Sequence, residues 1–186
     1  MSVPSPEFSP TPTRTTLFRG AKFDYEQLSW TGPDGRPLHR EFVRHPGSVV
    51  VLAVLESACE PTRVVLVRNR RVVVARRLWE LPAGTRDHDE DPSACAAREL
   101  IEETGYRAAT LTPLCRFHTS PGLSDEWMHA FVARGLTHVG QRLEPDEDLT
   151  VHPLSIDDAL ALIDSGELVD CKSIAVLLYA RRRGLI

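Results

Sequence analysis

Two rhythms of apolar and polar positions run along this chain. Residues 47–56, GSVVVLAVLE, are apolar at almost every position, which predicts a strand covered on both faces and central in its sheet. VVLVRN (64–69) predicts a neighbouring strand, and 107–118, 127–134 and 149–154 predict three more. Helical spacing appears at 92–104 and again at about 155–165 and 171–183. Upstream, Leu17–Trp30 and Leu38–Arg44 flank the turn Gly32-Pro33-Asp34-Gly35, which predicts a β-hairpin over 15–45. That hairpin has few large aliphatic residues and needs an outside surface to pack against. Four prolines in the first twelve residues predict an extended or disordered tail over 1–14. The remainder, 46–186, reads as one mixed α/β domain without internal repeats.

Composition narrows the function classes. A net charge of −4 offers no basic field for nucleic acid or an anionic membrane surface. No apolar run approaches the roughly 18 residues of a membrane span, and the N-terminus lacks a basic-then-apolar leader pattern, so a cytoplasmic protein is expected. Cys59, Cys95, Cys115 and Cys171 are scattered without a CxxC pair, which favours thiols over disulfides or zinc ligands.

The helix at 92–104 raises the chemical question. Asp91 suits its N-cap, Pro92 its first position and Gly105 the position just past its end. Ala94, Ala97, Leu100, Ile101 and Thr104 are expected to form its apolar face, with Glu99, Glu102 and Glu103 opposite. A solvated face is one reading. Against it, like charges three and four apart repel, and Glu102 and Glu103 stand in the last turn, where the helix dipole disfavours anions. Arg98 provides a helical partner for Glu102 alone. A divalent cation answers the remaining charge, and an all-oxygen site suits Mg²⁺ or Mn²⁺.

Gly84, Glu90, Arg98, Glu99, Leu100, Glu102, Glu103 and Gly105 together resemble the Nudix box, with Tyr106 in place of its final aliphatic residue. The resemblance implies an α/β/α sandwich around a mixed sheet and hydrolysis of a nucleoside diphosphate linked to another group. It implies Glu99 and Glu103 as main metal ligands, Glu102 as a further ligand or support, Arg98 orienting the carboxylates, and Glu90 in a structural place. Gly84 would allow a tight loop that points the Ala83 carbonyl at a metal. The metal would neutralise the diphosphate oxygens and activate a water.

The flanks resemble the ADP-ribose pyrophosphatase and nucleoside diphosphate sugar subgroup. In RNRRVVVARRLWELPAG, Arg71 takes the place of an arginine that contacts the diphosphate, and Glu80 joins it as a substrate-binding residue. A plain surface position is the alternative for Arg70, Arg76 and Arg77. Pro121 in HTSPGLSDE matches a proline that accompanies ADP-ribose activity, and Glu126 is a further substrate or metal candidate, with an exposed loop residue as its alternative. The acidic segment 144–155 resembles a loop that brings a glutamate over the metals, and Glu147 fits best as ligand or general base, with Glu144 and Glu126 in reserve. A solvated acidic loop is the alternative there. The N-terminal hairpin resembles an arm exchanged between subunits of a homodimer, which would set Phe23 on the adenine, or simply in the interface, and bring Arg40 and Glu41 to the neighbouring nucleotide. The implied activity is pyrophosphatase cleavage of ADP-ribose or a related nucleoside diphosphate sugar. UDP-sugars, GDP-mannose or a dinucleotide are alternative substrates, and a ligand sensor without hydrolysis is the alternative class.

Overall fold

The apolar run at 47–56 becomes β4 (Ser48–Leu55), buried at every residue but the last. It lies at the centre of a seven-stranded sheet in the computed structural model, which describes residues 11–87 and 89–186. β4 pairs antiparallel with β5 (Arg63–Arg71) and parallel with β10 (Trp127–Arg134), so the sheet is mixed. β12 (Leu149–Ser155) lies outside β5, and β9 (Thr110–His118) lies outside β10. Two shorter strands complete it: β6 (Arg76–Glu80) on β5 and β7 (Ala83–Thr85) on β4.

A strand apolar on both sides is stable only where both sheet faces are covered. Val50, Leu52 and Val54 pack with Leu66, Leu81 and residues of α2 (Ile156–Asp164) and α3 (Cys171–Arg182), among them Ala159, Val176 and Leu177. Val49, Val51 and Ala53 pack on the other face against Cys95, Ala96 and Leu100 of α1 (Pro92–Thr104). Each fully buried Leu or Val contributes about 1.5–3 kcal/mol relative to exposure. The result is the expected α/β/α sandwich around a mixed sheet. Among the described residues, no helix is long and apolar enough to cross a membrane.

The N-terminal region differs from the expected hairpin. It is a three-stranded antiparallel sheet of β1 (Thr13–Arg19), β2 (Asp24–Thr31) and β3 (Pro37–Arg44). The turn at Gly32–Gly35 forms, with Gly32 N–H donating to the Arg36 carbonyl at 2.8 Å. The expected single strand Leu17–Trp30 is broken, because Gly20 N–H bonds back to the Phe23 carbonyl at 3.0 Å in a tight turn. Thr13 and Arg14 belong to β1 rather than to a tail, and the first ten residues of that tail lie outside the described residues. Residues 11–45 form one compact unit with Ser120–Glu126, joined by Val43 N–H to the Leu123 carbonyl at 2.8 Å and by Arg44–Asp125 at 2.6 Å. Pro46–Thr119 and Trp127–Ile186 form the second unit.

One more strand divides. The segment expected as a strand over 107–118 is β8 (Tyr106–Arg107) and β9, separated where Ala109 N–H reaches the Arg134 and Gly135 carbonyls at 3.0 and 3.1 Å. β8 pairs with β11 (Thr137–His138).

Candidate active site

α1 starts and stops where its sequence dictates. The Asp91 carboxylate accepts the Ser93 and Ala94 N–H groups at 2.8 and 3.3 Å, and Gly105 closes the helix at φ 73°, a conformation that favours glycine. Its orientation corrects the expected faces. The buried positions are Cys95, Ala96, Glu99, Leu100, Glu103 and Thr104, while Ala94 is exposed. Glu99 and Glu103 therefore enter the interior, and only Glu102 of the three glutamates remains half-exposed.

β7 receives those two carboxylates. Ala83 N–H donates to Glu103 Oε2 at 2.9 Å. Gly84 pairs with Val49 in the strand ladder and has no positive φ, so it is not kept for the tight loop expected of it. Its role is space: a Cβ there would fall on the Glu99 carboxylate. Burial pushes Glu99 up to about 7 against the pull of Arg98, with the charges of Glu102 and Glu147 adding to the rise. Burial likewise pushes Glu103 up to about 8 against its bond from Ala83, with Glu99 and Glu147 adding their repulsion.

Arg98 is shared more widely than the helix spacing suggests. It donates to Glu90 at 3.0 and 2.9 Å, to Glu99 at 2.7 Å and to Glu102 at 2.9 Å. The Arg98 bonds hold Glu90 down at about 2, and these carboxylates in turn raise Arg98. One guanidinium thus serves three carboxylates, and the Glu103 carboxylate accepts a single hydrogen bond among the described residues. Buried carboxylates so thinly compensated are oxygen donors of the kind a divalent cation takes, although among the described residues no group of three or more such side chains converges closely enough to hold one.

A separate buried carboxylate, Glu80, is 1% exposed and ends β6. Arg71 grips it with two bonds of 2.8 and 2.6 Å, and Lys172 at the start of α3 reaches it at 2.7 Å. Lys172 also pairs with Asp170 at 3.0 Å, and Asp170 holds Ser173, whose hydroxyl accepts Leu81 N–H at 2.7 Å. Burial alone would raise Glu80, but the Arg71 bonds and the Lys172 charge outweigh it and hold the carboxyl below its ordinary value. Sequence reasoning missed Lys172 and Asp170. The available signal was a lysine two residues after a helix-capping aspartate, a pattern that normally marks a solvated first turn.

The acidic loop is held at both ends. Gln141 Nε2 and Arg142 N–H satisfy the last α1 carbonyls, on Glu103 and Glu102, at 2.6 and 3.0 Å. At the other end Asp148 is clamped by Arg77 through both carboxylate oxygens at 2.6 Å, and its carbonyl accepts Arg70 N–H at 3.0 Å. Between them, Glu144 and Glu147 exchange bonds of 2.8 and 3.0 Å, and the Glu147 charge acts on both Glu99 and Glu103.

The second unit therefore brings together Arg71, Glu80, Ala83, Arg98, Glu99, Glu102, Glu103 and Glu147. The other candidates belong to the first unit. Phe23 stacks on His45 with ring centroids 4.5 Å apart, and Glu126 faces the same His45 at 3.6 Å. Glu41 accepts a bond from Gln27 at 3.1 Å, Arg40 is exposed on β3, and Pro121 stands in the turn closed by Leu123 N–H to the Ser120 carbonyl at 2.9 Å.

Comparison with known proteins places this geometry. Residues 44–171 match the NUDIX domain model. The ADP-ribose pyrophosphatase of Bacillus subtilis (strain 168) is 38% identical over 165 residues, covering 88% of this chain and 87% of that protein. A GDP-mannose pyrophosphatase of Citrobacter koseri is 37% identical, covering 68% of this chain and 71% of its own. A crystal structure of an ADP compounds hydrolase superposes with a TM-score of 0.76 at 22% identity, covering 92% of this chain and 93% of that one, and so shares its fold.

Proposed function

The chain belongs to the Nudix family and is a Nudix hydrolase, and on that premise we propose that it cleaves the diphosphate of ADP-ribose, releasing AMP and ribose phosphate. Nudix hydrolases use divalent metal ions. Here Glu99, Glu103, Glu102, Glu147 and the Ala83 carbonyl would hold Mg²⁺, with Mn²⁺ as a substitute. Bound there, the metal supplies neutralisation of the diphosphate and a more acidic water. The observation that carries the reading is the pair of buried, under-compensated carboxylates on α1, of which Glu99 lies in room left by Gly84.

The other roles belong to the chain itself. Arg98, itself anchored by Glu90, holds Glu99 and Glu102 in place. Arg71 and Glu80 bind substrate, Arg71 offering its guanidinium to the diphosphate. Glu147 takes the proton of the attacking water on its carboxylate. Phe23, Arg40, Glu41, Pro121 and Glu126 contact the nucleotide, those on the N-terminal sheet from a homodimer partner across an exchanged arm. Leu17 and Phe18 on β1 are exposed at 49% and 68%, which supports such a partner. Four free thiols suit a cytoplasmic setting.

A panel of ADP-ribose, UDP-sugars, GDP-mannose and dinucleotides, assayed with Mg²⁺ and then with EDTA, tests the reading. ADP-ribose is expected to turn over fastest and only with metal. The GDP-mannose relative makes that compound the direct rival: its hydrolysis with the higher kcat/KM would reassign the substrate, and equal activity in EDTA would remove the metal.

A further inference from the structure

The hairpin of β5 and β6 ends in four arginines, of which the proposed reaction uses one. Register sets Arg70 opposite Arg77 and Arg71 opposite Arg76, and like charges directly opposite weaken a strand pair. Glu80 answers Arg71 and Asp148 answers Arg77. No carboxylate among the described residues pairs with Arg70 or Arg76. The whole chain carries −4, so this local excess does not follow from a generally basic composition. All four arginines and Asp148 line one cleft of about 580 Å³, a volume in the range of small-molecule sites. Arg71 lines the cleft and also grips Glu80, which Lys172 reaches at 2.7 Å, and the Arg71 and Glu103 charges act on each other.

We propose that this cleft is a subsite for a phosphate dianion, carried on the substrate as a phosphomonoester or supplied as free inorganic phosphate. Two guanidinium groups without an ion-pair partner among the described residues, beyond the charge of Asp148 acting on Arg70, match the charge of about −1.5 to −2 that a phosphomonoester carries at pH 7, and their planar donors suit its oxygens. In the first case the preferred substrates are nucleoside diphosphate compounds with one phosphate more than ADP-ribose. The inference rests on the hydrolase reading above.

The test compares ADP-ribose with ADP-ribose phosphorylated on its adenosine ribose or on its terminal ribose, in the wild type and in the double variant Arg70→Gln/Arg76→Gln. Calorimetric titration with inorganic phosphate runs beside it. A phosphorylated substrate is expected to show a KM lower by about tenfold, the yield of one charged hydrogen-bond set, with the advantage lost in the double variant and ADP-ribose turnover unchanged. Equal KM values together with phosphate binding that the double variant abolishes would identify the free anion as the ligand of the same site. Equal KM values without phosphate binding, or binding that survives in the double variant, would overturn the subsite. Failure to hydrolyse ADP-ribose would sink the reaction instead, and the phosphate titration would still decide the cleft.

Discussion

Two buried carboxylate sites in the second unit are treated in opposite ways. Glu80 meets Arg71 and Lys172 directly, and its carboxyl lies below its ordinary value. Glu99 and Glu103 share part of one arginine and one backbone N–H, and burial lifts them to about 7 and about 8. Burying a charge is costly without partners, so the first site is complete in the protein, whereas the second lacks such partners and, on the proposed reading, gains them from a cation. The two sites are thus told apart by their compensation, since both are buried.

The largest break in that contrast comes at Glu103. Glu103→Gln keeps the shape and removes the charge, so kcat should fall by orders of magnitude while the melting temperature holds or rises, since an amide is cheaper to bury. Loss of fold by circular dichroism would instead mark Glu103 as structural. Glu147→Gln comes next, with kcat lower by about 10² to 10⁴ and a small change in KM, as befits a general base. Near wild-type turnover there, with collapse in Glu126→Gln or Glu144→Gln, would move the base to another residue.

Much of this arrangement was legible in the sequence. Asp91, Pro92 and Gly105 bounded α1, and an all-apolar run fixed β4 as the central strand, because caps and two-sided burial act through local residue type. The orientation of α1 was not legible. Counting apolar residues sends Glu99 and Glu103 to the solvent side, whereas the tertiary structure buries both, Glu99 against Gly84 of β7 well upstream in the chain. Lys172 was invisible for the same reason: a lysine reads as solvated until its partner, Glu80 on a strand far upstream, is known. The turn at Gly20 was hidden inside a run of acceptable strand residues.

Lys172→Met tests the compensated site. Removing one partner of a buried pair leaves the other uncompensated, at a cost of about 3–5 kcal/mol. For a chain of this size the melting temperature should drop by about 10 °C or more. An unchanged melting temperature would show that Arg71 alone suffices for Glu80. Smaller again is the effect of metal on stability. Mg²⁺ at a hundredfold excess over its Kd should add about 2.7 kcal/mol to the wild type. The same addition should do nothing for Glu99→Gln/Glu103→Gln, and an equal gain in that variant would place the cation elsewhere.

The smallest effect concerns acid. Glu80 binds its proton less readily in the folded chain than its ordinary value of 4.5, because Arg71 and Lys172 favour its charged form despite burial. Its contribution is therefore present above pH 4.5 and lost as pH falls through the lower folded value, where the unfolded chain takes up a proton that the folded chain refuses. A single group of this kind changes stability by at most about 1.4 kcal/mol per pH unit. Chemical denaturation of the metal-free protein at a series of pH values below 4.5 measures that slope. Glu80→Gln lowers stability at neutral pH, but its acid limb should be shallower by up to this amount. Well below pH 4.5, Glu103→Gln should leave the limb as it is, since a carboxyl lifted to about 8 is protonated in the folded chain and, with an ordinary value of 4.5, mostly protonated in the unfolded chain there. A limb equally steep in Glu80→Gln would mean that other acids carry it, and that Glu80 is held no more tightly than an exposed glutamate.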